Sequence, residues 1–193
     1  MGLSIIQAAS ERPVSLVEAK AHCRVDGSDE DALLERLIGM ATERAEAITG
    51  RVLITQQLRL TLESFPIDGI DLPCPPLVKV DALSYLDEAG IRVALDSAAG
   101  DYDAITDELI GRVLPGWGKS WPCTRRTPGS VRIDFTAGYG DADSVPESIR
   151  SWILLTIGTL YRQRDKFISG GFVEFSSAFW DGLLDAYIVW KIV

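Results

Sequence analysis

The first pair that could do chemistry is His22 beside Cys23, an imidazole next to a thiol. Neighbours on a helix point about 100° apart, so the ring cannot act as base for the sulfur at its side. Nothing resembling a nucleophile elbow surrounds them, and His22 reads as a surface or partly packed histidine. Two carboxylate pairs follow, Asp101/Asp103 and Asp141/Asp143. Such pairs can hold calcium or exchange protons. Neither has the spacing of a calcium loop, and both read as solvated loop acids. Neither Gly116-Trp-Gly118 nor Gly138-Tyr-Gly140 meets the full phosphate-cradle pattern, since Val113 stands where the first glycine before Gly118-Lys-Ser120 belongs, so they read as turns. Trp117 and Trp121 lie in a Gly/Pro-rich loop that could stack a sugar or a base; packing of the lobe against the helical part is the plainer reading. Arg125-Arg126 is too short for a nucleic-acid patch. Cys23, Cys74 and Cys123 are odd in number and widely spaced. They make neither a disulfide framework nor a zinc pattern and point to a reducing compartment. No cofactor and no metal is expected.

The elements behind these residues belong to a chain of 193 residues with 47% hydrophobic content, enough for one globular domain or a domain with an inserted lobe. Neither a signal peptide nor a membrane span is expected. Net charge is −9, the wrong sign for binding through phosphate neutralisation. The charge is uneven: nine acids against five bases in residues 1–50, fourteen against nine in 51–145, and five against five in 146–193. The last part is apolar and neutral, and the rest presents an acidic surface.

Residues 1–12 read as a loose arm. Ser15-Leu-Val-Glu18 is a capping box opening a short helix to about Arg24. Ser28 with Asp31 starts a longer helix, striped by Leu33, Leu34, Leu37, Ile38, Ala41, Ala45 and Ile48 and ended by Gly50. The period then switches to alternation across Val52–Leu62, a strand. PCPPL at 73–77 is a rigid connector. Val78–Leu86 and Ile91–Leu95 flank a turn and form a hairpin. Residues 102–113 read as a strand pair or an irregular loop, and Val131–Thr136 as a further strand. Pro146–Arg164 is a helix with an unusually apolar middle, with Ser144 its candidate cap. Ile149, Ile153, Ile157 and Leu160 should face the N-terminal helices. Residues 174–184 have helical spacing, and Tyr187–Val193 is apolar and β-prone.

The expected fold class is α+β: an antiparallel helical bundle from the N- and C-terminal helices with a β-rich lobe inserted between them. The expected domains are 13–50 with 146–184 as the bundle, 51–145 as the lobe and 185–193 as an apolar tail.

Several motifs run in order along nearly the whole chain: PVSLVEAK at 13–20 with Arg24-Val-Asp26, DALLERLI at 31–38, Thr49-Gly-Arg51, Thr55-Gln56, Phe65-Pro66 and LPCPPL at 72–77. Gly111-Arg-Val113, Trp121-Pro122, FTAGYG at 135–140, Val145-Pro146 and LLDAY at 183–187 follow. In these the chain resembles the phage head–tail connector (adaptor) family, the portal-proximal ring of long-tailed phages, prophages and gene transfer agents. It departs near the end, where Ala186 and Ile188 stand in place of the family's proline and arginine.

The resemblance implies a structural protein without catalytic activity. It implies a self-assembled ring of about twelve copies in the virion neck, assembled in the bacterial host cytoplasm. Its partners would be the portal protein and tail-proximal neck proteins, with DNA passing through the channel and no membrane involved. An acidic wall would suit DNA that must slide without sticking. Tyr187, Ile188, Val189, Trp190 and Ile192 are then the candidate portal-binding residues, by strand addition. The candidate subunit interface is Leu37 and Arg44 on the second helix with Trp152, Leu155 and Thr159 on the long apolar one. Another neck or tail-completion protein is the alternative within the same biology. A small enzyme using the Trp117/Trp121 loop and Asp101/Asp103 is the alternative from a different class; it requires a concave pocket with carboxylates of perturbed pKa.

Overall fold

A computed structural model of the chain describes residues 1–163 and 182–189. The described residues form a mixed α+β chain of three α-helices and antiparallel sheets. They divide into two compact units, Met1–Ser10 with Thr55–Tyr139 and Glu11–Ile54 with Gly140–Val193.

The first unit carries the strands. β1 (Gly2–Gln7), β2 (Gln56–Leu62), β8 (Val131–Ala137), β4 (Leu77–Leu86) and β5 (Arg92–Leu95) form a five-stranded antiparallel sheet in that order. β3 (Ile70–Asp71), β7 (Arg112–Pro115) and β6 (Tyr102–Ile105) form a three-stranded one. Alternation fixes the register, because a one-residue slip would turn the apolar set to solvent. Leu58 lies opposite Phe135, and Leu60 opposite Ile133, which lies opposite Leu83 on its other side. All five are buried. Between them Arg59 lies opposite Asp134 and donates two hydrogen bonds to its carboxylate, at 2.6 and 2.7 Å.

The expected hairpin is β4–β5, with Leu83 opposite Leu95. Residues 102–113 resolve as the paired strands β6 and β7. Two readings change. Residues 2–7 form an edge strand on β2, not a loose arm; their partner lies some fifty residues away, and local pattern cannot see it. The strand expected from Val52 begins at Gln56. Val52, Leu53 and Ile54 are all buried in irregular backbone, where Leu53 N–H donates to the Glu46 carboxylate at 3.0 Å.

The second unit carries α1 (Leu16–Cys23), α2 (Asp31–Thr49) and α3 (Glu147–Arg162), each packed on the other two. The Ser15 hydroxyl accepts from Glu18 N–H at 3.2 Å, and the Glu18 carboxylate accepts from Ser15 N–H at 2.8 Å, the expected capping box. Gly50 ends α2 at φ 69°, where a Cβ would be strained. Ser28 and Ser144 do not cap. α2 starts at Glu30 without a side-chain cap, and Pro146 precedes α3. Ser144 instead closes a short 3₁₀ turn, donating its N–H and hydroxyl to Asp141.

Leu34, Leu37, Ile38, Ala41 and Ala45 on α2 and Ile149, Trp152, Ile153 and Ile157 on α3 are buried. Each large one contributes about 1.5–3 kcal/mol of burial. Leu160, expected to face the N-terminal helices, is exposed. Of the helix expected over 174–184, residues 174–181 lie outside the described residues. Residues 182–184 form a turn that leads into the 3₁₀ turn Asp185–Tyr187, with Leu184 buried.

Candidate functional site

Surfaces, rather than a pocket, hold the residues singled out by sequence. On α2, Leu37 is buried and Arg44, two turns later, is exposed. On α3, Trp152 is buried, Leu155 half-buried and Thr159 exposed. The Thr159 hydroxyl donates to the Leu155 carbonyl at 3.0 Å, which keeps these two on one stripe of the helix. Within one chain Leu37 and Trp152 are therefore core residues. Arg44, Leu155 and Thr159 are the part of the set that another molecule can reach. Met40, 57% exposed and one turn before Arg44, extends the reachable surface of α2.

Of the C-terminal set, Tyr187, Ile188 and Val189 are half-buried. Trp190 and Ile192 lie outside the described residues. The base of the segment is fastened to the end of α2. Arg51 Nε donates to the Tyr187 carbonyl at 2.6 Å, and Val189 N–H donates to the Thr49 carbonyl at 2.9 Å. Sequence reasoning missed Arg51, because a residue just past a helix-ending glycine carries no sign of a partner 136 positions away.

The groups weighed for chemistry are occupied structurally. His22 packs against α3 where Gly158 has no side chain: a Cβ there would come within 3.0 Å of His22 Nε2. Burial pushes the Cys23 thiol up, against the pull of Arg162, so it is no thiolate at neutral pH. Asp101 accepts from Asp96 N–H at 3.0 Å and from Lys119 at 2.9 Å, and these bonds hold its pKa below the usual value. Asp141 is lowered likewise by its bonds from Ser144. Both stay ionised, whereas a general acid needs its pKa raised. Among the described residues no group of three or more His, Cys, Asp or Glu could hold a metal ion. None of the described helices is long and apolar enough to cross a membrane.

Trp121 and Trp117 do different things. Trp121 stacks on Phe65 at 4.5 Å and 5°, and Phe65 meets Tyr85 edge-on at 5.8 Å. This aromatic group packs within the strand-bearing unit itself, at the end of the sheet. Trp117 is 98% exposed and Ile67 94%. A cavity of about 590 Å³ is lined in part by Phe65, Ile67, Trp121, Lys119 and Arg126, but not by Trp117. Neither Asp101 nor Asp103 lines it, so this cavity does not bring the tryptophan loop and that carboxylate pair together.

Residues 13–83 match the family described as phage gp6-like head-tail connector protein. No curated protein matches the chain. Three solved structures share the fold over all of this chain and 98% of theirs. One is from the neck of an empty GTA particle computed with C6 symmetry, at TM-score 0.80 and 24% identity. Another is from the virion of a native gene transfer agent (GTA) particle, at 0.78 and 23%. A third is from the neck of a native GTA particle computed with C12 symmetry, at 0.74 and 23%. Residues 13–83 are thus similar to the phage head–tail connector family, the family that the ordered motifs of the chain resemble.

Proposed function

We propose that the chain is a structural subunit of the virion neck, a connector that joins the DNA-filled head to the tail and catalyses nothing. About twelve copies form a ring under the portal protein, with tail-proximal neck proteins on the other side and DNA passing through. The observation that carries this reading is the connector-family match of residues 13–83 inside a fold shared end to end with neck proteins. Assembly takes place in the host cytoplasm.

In this reading residues 13–50 and 146–184 make a helical bundle, 51–145 an inserted β-rich lobe and 185–193 the tail. Neighbouring subunits meet along α2 and α3, through Arg44, Leu155 and Thr159 at the reachable rim, with Leu37 and Trp152 supporting them from inside. Tyr187, Ile188, Val189, Trp190 and Ile192 dock on the portal. The excess of acids on the chain, 28 against 19 bases, lets DNA slide past without sticking.

The test mixes the full chain with its cognate portal protein and measures mass in solution. The chain should add to the portal ring, and a chain ending at Val189 should add poorly. Truncation there spares the bonds of Tyr187 and Val189 to the end of α2, which a cut at 187 would remove. Failure of the full chain to bind the portal, with binding to a tail tube instead, would move the protein to the tail side of the neck.

A further inference from the structure

We propose that the open edge of β1 is a seat for a second copy of this chain. The inference rests on the ring reading above and names one of its contacts. β1 stands at one end of the strand order, and all six of its residues are exposed. Its inner side pairs with β2. No other strand among the described residues pairs with its outer side, so a row of backbone N–H and C=O groups is left for another strand.

The side chains show the same incompleteness. Leu3 lies opposite Leu60, then Ile133, then Leu83, and Ile5 lies opposite Leu58, then Phe135. Leu58, Leu60, Leu83, Ile133 and Phe135 in these rows are buried, while Leu3 is 46% and Ile5 60% exposed. The apolar face of the sheet thus runs out into water along one strand.

Solitary sheet edges are usually guarded by lysine, proline or an inward charge. β1 has none, and no charged side chain precedes Glu11. Its one irregularity, a register shift between Ile5 and Gln7, leaves Gly2–Ile5 regular.

Charge favours a copy as the occupant. Chains of net charge −9 repel one another, so copies join most readily where no side chain is acidic, and neither β1 nor β5 carries an acid. A closed ring also needs two different surfaces on each copy. The same sheet supplies the second at its far end, where β5 is the other edge strand and Ile91 beside it is 63% exposed. β1 and β5 run in the same direction, so a head-to-tail join pairs them in parallel.

The test compares the full-length wild type, Ile5→Lys and Val17→Lys by sedimentation over a concentration range, alone and with cognate portal protein as template. Val17 is an exposed apolar residue on α1, outside every surface named here. Ile5→Lys should weaken self-association by about tenfold or more, with its thermal midpoint unchanged, and Val17→Lys should match the wild type. A ring that forms equally well with Ile5→Lys overturns the β1 seat and leaves the connector reading standing. Ile5→Lys and Val17→Lys impaired alike also overturns it. A wild type that neither self-associates nor binds the portal overturns both.

Discussion

Glu18 accepts hydrogen bonds from Ser15 at the start of its own helix and from Arg150 on α3. One carboxylate thus closes the α1 cap and answers a cation whose side chain is only 16% exposed. Removing it opens the cap and leaves Arg150 short of a partner. Glu18→Ala should cost roughly 2 kcal/mol, read from urea unfolding. Glu18→Ala with Arg150→Met should cost less than the two singles added, since both break one contact.

The same carboxylate makes stability depend on acid. Burial opposes its ionisation, but the bonds from Ser15 and the nearby Arg150 outweigh burial and hold its pKa below the usual 4.5. A lowered folded pKa gives stability that is present above the unfolded value and lost as pH falls through the folded one. Unfolding midpoints measured downward from pH 5 should therefore drop, and Glu18→Gln should flatten part of that drop.

Glu46 should act with the opposite sign. Burial raises its pKa, with the neighbouring charge of Glu43 adding to the rise and the bond from Leu53 N–H opposing it. A raised folded pKa means the folded chain holds a proton that the unfolded chain has released, so stability falls as pH rises through 4.5 and beyond. Glu46→Gln keeps an oxygen to accept from Leu53 and loses the buried charge. It should leave stability at pH 7 unchanged or raised by about 1 kcal/mol. A loss of stability in denaturant titrations would show that the charge itself matters.

How far these contacts could be read from sequence depends on their range. The Ser15–Glu18 box was legible because both partners sit within four residues. The helical stripes and the β4–β5 hairpin were legible for the same reason: one period or one turn specifies them. Ser28 and Ser144 look as good as Ser15, but Ser144 is drawn off by Asp141 and α2 begins without a side-chain cap. β1 was illegible, since its six residues gain meaning only against Arg59 and its neighbours on β2. For the candidate surfaces, a helical wheel marks Leu37 and Trp152 as apolar but cannot say which sides of α2 and α3 other elements cover. Both are covered within the chain, and Arg44, Leu155 and Thr159 are left at the rim.

Gly116 is required for close approach rather than for a turn. A Cβ there would lie 2.0 Å from the Gly100 carbonyl oxygen, and that neighbour is backbone. The Gly116 N–H also donates to the Asp101 carbonyl at 3.1 Å, tying the end of β7 to the start of β6. Gly116→Ala must push the two segments apart and should cost about 3 kcal/mol. Faster amide exchange at Tyr102–Ile105 would mark the loss as local to the three-stranded sheet; unchanged exchange there would mean the chain absorbs the methyl elsewhere.

Arg51 decides how the C-terminal segment leaves the helical unit. Its guanidinium holds the Tyr187 carbonyl, and two residues later Val189 N–H holds the Thr49 carbonyl, at the end of α2. That end has orphan carbonyls and a partial negative charge, so a backbone donor there is favourable. With both bonds made, the residues after Val189 start from a fixed point, and a partner that binds them avoids the entropy of ordering that point. Arg51→Met should cost about 1 kcal/mol in the fold and speed exchange at the Val189 amide. If the tail docks on the portal, it should also weaken portal binding by slowing association more than by speeding release. Val189 exchange unchanged in Arg51→Met would place the anchor in the Val189–Thr49 bond alone.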